Sequence, residues 1–239
     1  MKNKAGGKIL FLLVVFSTLV CSLSFGFGTR EVREISGVRN VVFNCWGTLY
    51  LEQGDKEGLT IEASKFMLTK IKTEVHNKTL YVSVSGIQTG TNIRNMKFYL
   101  TLRDVDEITT HSSGKVITGP LKTERIELTS ESSGRITVES LKAGRLRVTI
   151  ESSGDITIEG GSVGMQSVAV LSSGKYEAGN LKSGAAEVKL TSSGDALMWV
   201  TGSMDAVLLS SGDLSYYGEP ELIRGAAESS GDIRSLGRK

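Results

Sequence analysis

The 239-residue chain has 28 glycines, 2 prolines and 2 cysteines, and 39% of it is hydrophobic. That is enough apolar material for one continuous β-rich core and too little cysteine for a disulfide-stapled fold. The formal charge of +2, with no basic stripe, excludes the electrostatic footprint of a nucleic-acid binder.

Residues 1–28 read as a secretory signal peptide: Lys2, Lys4 and Lys8 precede the apolar run Ile9–Val20, and small residues follow at Ser24, Gly26 and Gly28. The run is too short to serve as a membrane-spanning helix. Its removal takes three lysines and no acids, leaving 25 basic against 26 acidic residues. Export to the periplasm, the outer-membrane surface or the extracellular space is therefore expected. Cys21 stands where a lipoprotein carries its acylated cysteine, although Thr18-Leu19-Val20 lacks the small residue expected before it. Without Cys21 the one remaining thiol is Cys45, which reads as a small buried hydrophobe.

From residue 29 to 239 a single β-solenoid domain is expected, with irregular coils over 30–104 and regular ones over 105–235. In the irregular part, Thr48–Glu52, Leu59–Glu62, Thr79–Val84 and Lys97–Leu102 alternate apolar and polar residues, the period of a strand with one buried face. Turns separate them at Gln53-Gly54-Asp55 and His76-Asn77-Lys78. These coils are expected to start the stack and cover one end, as terminal repeats must. Gly218-Glu219-Pro220 and the charged tail 234–239 are expected to block the other end.

The regular part is defined by a repeated corner. Ser-Ser-Gly recurs at Ser112–Gly114, Ser132–Gly134, Ser152–Gly154, Ser172–Gly174, Ser192–Gly194, Ser210–Gly212 and Ser229–Gly231, with spacings of 20, 20, 20, 20, 18 and 19 residues. Apolar residues alternate before each corner, as in Leu146, Val148 and Ile150, and resume two residues after it at Val116, Ile136, Ile156, Tyr176, Ala196, Leu214 and Ile233. Leu121, Leu141 and Leu181 mark a third side, with nearby glycines expected to supply a permissive φ. Three short sides per period, without hairpin dipeptides between them, predict a right-handed parallel β-helix with coils of about twenty residues. Stacked coils place equivalent positions above one another, so the inward serine of each pair should form a hydroxyl ladder and Thr109, Thr129 and Thr149 an outward one.

This layout resembles the bacterial auto-transporter adhesin "head GIN" domain family, a domain of unknown function. The resemblance is carried by Glu34-Ile35-Ser36-Gly37-Val38, Leu51-Glu52-Gln53-Gly54, Leu59–Ala63, Leu80-Tyr81-Val82 and the Ser-Ser-Gly-Asp units, nearly the whole mature chain. It implies a β-solenoid and an adhesion-like role, and it brings no catalytic residues.

Chemistry has few footholds. Asp195, Asp213 and Asp232 follow consecutive corners and are the candidate metal ligands, but the calcium β-roll nonapeptide is missing and Lys115, Arg135 and Lys175 take the same position in other coils. A solvated column, cross-paired among Arg135, Asp155 and Lys175, is the expected arrangement. No cofactor is implied. β-Helices also serve as polysaccharide-cleaving enzymes, and Glu131 with Glu151 is the one stacked carboxylate pair that suits such chemistry. His76 and His111 have no acid or nucleophile partner at motif spacing. Leu171, Val207 and Leu209, with Trp199, Tyr216 and Tyr217, suggest an outward apolar face. The favoured function is a non-enzymatic, exported, adhesin-like or envelope scaffold module that meets a glycan, an envelope protein or another copy of itself. A carbohydrate-active enzyme and a purely structural envelope protein remain the alternatives.

Overall fold

A computed structural model describes residues 28–86, 96–227 and 230–239. Residues 1–27 of the expected signal segment, including Cys21, and Ser229 of the last corner lie outside them. The first strands are β1 (Thr29–Arg33), β2 (Asn40–Asn44), β3 (Thr48–Gln53) and β4 (Gly58–Ala63). From β2 onward the alternation turns one side chain in two inward, and Val41, Phe43, Leu49, Leu51, Leu59 and Ile61 are fully buried.

A single helical turn follows, α1 (Lys65–Leu68), capped where the Ser64 hydroxyl accepts the Met67 N–H at 3.3 Å. Met67 and Leu68 dip from it into the core. β5 (Ile71–His76) and β6 (Thr79–Val84) form an antiparallel hairpin. Its two-residue loop, Asn77-Lys78, has φ of 49° and 66°, as a type I′ turn requires. β7 (Lys97–Leu102) ends this region.

The stacking order departs from chain order. β2 lies between β6 and β8 (Glu107–His111), while β3 lies between β7 and β9 (Lys115–Thr118), and all four contacts are parallel. The circuit β6–β7 therefore stacks outside β2–β3, and the next circuit returns to the opposite side. Beyond β6–β7 the ladders turn antiparallel, with β5 on β6, β4 on β7 and β1 on β4. The irregular start expected of these coils takes a specific form: the excursion through β4, α1 and β5 carries the chain past its own first circuit and finishes the end with strands that no parallel coil can extend.

From β8 onward the coils follow the chain. They comprise β10 (Leu121–Ser130), β11 (Arg135–Val138), β12 (Leu141–Ile150), β13 (Asp155–Ile158), β14 (Gly161–Val170), β15 (Lys175–Leu190), β16 (Asp195–Leu208), β17 (Leu214–Tyr217), β18 (Leu222–Ala227) and β19 (Ile233–Ser235). Together they form a parallel β-solenoid of about 6 turns with coils of about 20 residues. Register puts Val116, Ile136, Ile156, Tyr176, Ala196 and Leu214 in one buried column. Each large apolar side chain so buried contributes roughly 1.5–3 kcal/mol.

Two features break this pattern. The expected third side is continuous with the first: in β10, Glu124 and Arg125 are both exposed, so the alternation slips and the strand bends there without ending. Tyr176, set beside the small Ala196, brings a hydroxyl into the core. That hydroxyl donates to Gln166 Oε1 at 2.8 Å, Gln166 Nε2 donates to Ser183 Oγ at 2.7 Å, and Ser183 donates to the Trp199 carbonyl at 2.9 Å. Satisfied in this way, the polar chain links facing walls of the coil.

At the last coil β18 pairs with β16 and β19 with β17. The tail does not fold over the end as expected. It prolongs the side wall, with Leu236 N–H on the Tyr216 carbonyl at 2.8 Å and Gly218 N–H on the Gly237 carbonyl at 2.9 Å. Arg238 meets Glu219 at 2.6 Å, which lowers the glutamate's pKa and raises the arginine's.

Candidate binding groove

At the repeated corner the inward residue is the glycine. Gly134, Gly154, Gly174, Gly194 and Gly212 are buried, while the serines before them, Ser132, Ser152, Ser172, Ser192 and Ser210 included, are exposed or half-buried. A Cβ on Gly174 would lie 2.2 Å from the Gly154 carbonyl oxygen, one on Gly194 2.7 Å from that of Gly174, and one on Gly212 2.2 Å from that of Gly194. Gly231 continues the row over Gly212, at 2.4 Å. The expected inward serine ladder is therefore replaced by a glycine ladder, and closeness of successive backbones is the cause. Buried hydroxyls do occur, but before the corner, where Thr110 donates to Ser130 at 3.4 Å and Ser130 to the Gly134 carbonyl at 2.9 Å. At the first two corners Ser112 and Ser132 have φ of 69° and 62°, which resets the alternation that the serine assignment relied on. Ser112 Oγ instead donates outward to Asn44 Oδ1 at 3.0 Å, and Gly114 packs against Phe43 and the Cys45 carbonyl.

The aspartate column has its own explanation. Asp195 Oδ1 accepts the Asp213 N–H at 3.1 Å, and Asp213 Oδ1 accepts the Asp232 N–H at 3.0 Å. Each carboxylate is tied to the backbone of the next coil. No group of three potential metal ligands gathers among the described residues. Two coils earlier Arg135 bonds Asp155 at 2.8 Å.

The remaining candidates separate. Glu131 contacts His111 Nδ1 across adjacent coils, so this histidine does have an acid partner, at the coil period and not at a motif spacing. His76 lies 3.9 Å from Glu74. Leu171 and Leu209 are exposed at the corner, and Val207 is half-buried. Tyr216 turns inward, against expectation, because it keeps the parity of Leu214. Trp199 and Tyr217 stand side by side in register, and the Lys239 ammonium lies 5.7 and 4.7 Å from their rings. Cys45 is buried, and desolvation pushes its thiol up to about 12.

A broad concavity lies elsewhere, along the bend of β10, β12, β14 and β15. A groove of about 870 Å3 runs across it, with Arg125, Glu127, Arg145, Arg147, Met165 and Glu187 on its walls. At one end Arg39 is held by Asp106 at 2.6 Å and Asp104 at 3.1 Å, contacts that raise its pKa further. A second hollow of about 670 Å3 shares Thr123 and Glu124 with the groove and extends past Lys122, Lys142 and Ser162. Gly144 and Gly164 line this second hollow and belong to a second glycine row: a Cβ on Gly164, Gly184 or Gly202 would sit 2.7, 2.9 or 2.4 Å from the preceding glycine's carbonyl oxygen. These glycines have ordinary φ; they are there for close stacking and not for the permissive φ expected of them. From β12 onward the bend is left with a floor bare of side chains, while in β10 Glu124 holds the same place. Sequence inspection missed this groove, and its signal was the paired exposed positions beside each glycine of the row.

Comparison with known proteins agrees with this architecture. A putative adhesin from Bacteroides fragilis superimposes with a TM-score of 0.82 at 23% identity, covering 87% of this chain and 97% of the other. A protein from Parabacteroides distasonis described as a putative lipid binding protein gives 0.67 at 25% identity over 88% and 97%. A putative adhesin from Parabacteroides merdae gives 0.70 at 15% identity over 88% and 97%. No functionally curated protein matches the chain. The family model described as "Putative auto-transporter adhesin, head GIN domain" matches residues 39–220, and the chain belongs to that family of exported proteins.

Proposed function

We propose that the chain is a non-enzymatic, adhesin-like binding module of the cell envelope, and that the groove along the bend is its contact face. The observation that carries this reading is the groove itself. It crosses successive coils of the stack, its walls carry charged side chains, and it adjoins a second hollow lined by the backbone of Gly144 and Gly164. A fixed concave surface of that length suits an extended partner such as a glycan or a segment of another envelope protein. After export the module would act in the periplasm, at the outer-membrane surface or outside the cell.

The test is capture. Purified mature protein, immobilised, is challenged with a panel of envelope polysaccharides and envelope proteins, and the flow-through is assayed for chain cleavage. Retention of a defined glycan or protein without turnover is expected. Hydrolase or lyase products that vanish in a Glu131→Gln/Glu151→Gln variant would instead establish the enzymatic alternative.

A further inference from the structure

We infer that the bend of β10 and β12 binds the acidic sugar of a carboxylated polysaccharide, through Lys122, Lys142, Arg125, Arg145 and Arg147. This rests on the groove being the contact face and names the chemistry it accepts.

The strongest observation is a pair of like-charge juxtapositions in the same two coils. Lys122 stands in register with Lys142, and Arg125 with Arg145. Adjacent strands lie roughly 4.8 Å apart, and like charges directly opposite one another destabilise the pairing. Neither column offers relief, since Arg145 is followed by Met165 and Ala185 and Lys142 by Ser162. Among the described residues none of these five cations enters an ion pair. Apart from Asp104 and Asp106, which hold Arg39, the carboxylates lining the two hollows are Glu124, Glu127 and Glu187, with Glu127 in register with Arg147, so these five cations still outnumber the anions on a chain whose mature part is close to neutral.

The two columns flank Glu124 in β10 and Gly144 in β12, so the bare floor between them lies at Gly144. An anionic group on that floor approaches both at once and removes the repulsion along each. Arginine favours a planar carboxylate, which its guanidinium grips with two parallel hydrogen bonds. In the next coil the cations give way to Ser162, Met165 and Ser167. That stretch suits the neutral hydroxyls of the same glycan. Among the described residues no aromatic side chain lines either hollow, which argues against single-stranded nucleic acid, whose bases need stacking platforms.

The test uses the full mature protein and affinity electrophoresis or calorimetry with polygalacturonate, dextran sulfate, neutral dextran and single-stranded DNA as probes. Polygalacturonate is expected to bind, dextran not, and added salt to weaken the complex. Arg125→Glu/Arg145→Glu should lower the affinity at least tenfold. Lys72→Glu, an exposed change on β5 outside the groove, should leave it within twofold. Thermal unfolding checks that each variant is folded, and Arg125→Gln/Arg145→Gln serves if the reversal does not fold. Equal binding of dextran, equal loss in Lys72→Glu, full retention in the arginine variants, or a preference for dextran sulfate or DNA would each overturn the assignment. If the arginine variants still capture an envelope partner as the wild type does, the groove's proposed ligand fails while the adhesin-like function stands. If the wild type captures nothing, both fall.

Discussion

The first circuits and the repeat coils use the same ladder geometry and reach it by opposite means. In the first circuits Phe43 and Phe98 meet edge to face, 5.2 Å between centroids, and fill a broad interior beneath an antiparallel cap. In the repeats the corners are glycine on glycine, and the walls are Val, Ile, Leu and Ala. One region is held by bulk, the other by nearness of backbones. A volume loss should therefore hurt the first, and a volume gain the second.

Three experiments bear on that contrast. Phe98→Ala should cost the most, about 4 kcal/mol, as expected for a buried aromatic truncated to a cavity. Hydrogen exchange should rise first within residues 40–102, leaving the repeat strands protected; simultaneous loss everywhere would show that the two regions do not differ in kind. Gly174→Ala should come next, at roughly 3 kcal/mol, because its methyl group meets the Gly154 carbonyl oxygen at 2.2 Å as well as the buried Ile150 side chain at 2.4 Å. Gly119→Ala, where nothing lies within 4 Å, should shift the denaturant midpoint hardly at all, and equal costs at the two sites would refute the backbone-contact explanation.

The smallest effect, a loss of stability that begins only above about pH 9, concerns Cys45 in the first region. Its folded-state thiol sits above the unfolded value, so the proton is held more tightly in the native protein. The stability this supplies is complete below about 9 and is lost as pH rises toward about 12. Tyr176, also raised by burial, pushes the same way from the repeats. Native protein at pH 8 should resist iodoacetamide and react once unfolded; rapid native alkylation would place Cys45 outside the core.

Much of the repeat region was open to inspection of the chain alone. The twenty-residue recurrence and the inward Ile136, Ile156 and Tyr176 are periodic, and register follows from period; Thr109, Thr129 and Thr149 stack in register as expected, but Thr109 is buried where an outward position was expected. The inversion of the first two circuits was not, because strand pairing is decided by which edges are free, and β2 and β6 have similar local patterns. Nor was the glycine row at the bend, since Gly144, Gly164, Gly184 and Gly202 look like turn residues until their carbonyls are seen to lie under one another. The His111–Glu131 contact was within reach, being separated by one coil period, but a search confined to catalytic motif spacing passes it by.

With β2–β3 clamped between two neighbours, the molecule has a sealed foundation and one open course on which each later circuit is laid. Accretion runs in a single direction, and every layer presents the same seat to the next. Excising one whole period from the middle would shorten the tower by a storey without disturbing the mortar above or below, so length in such proteins is free to vary by whole coils while the base stays fixed.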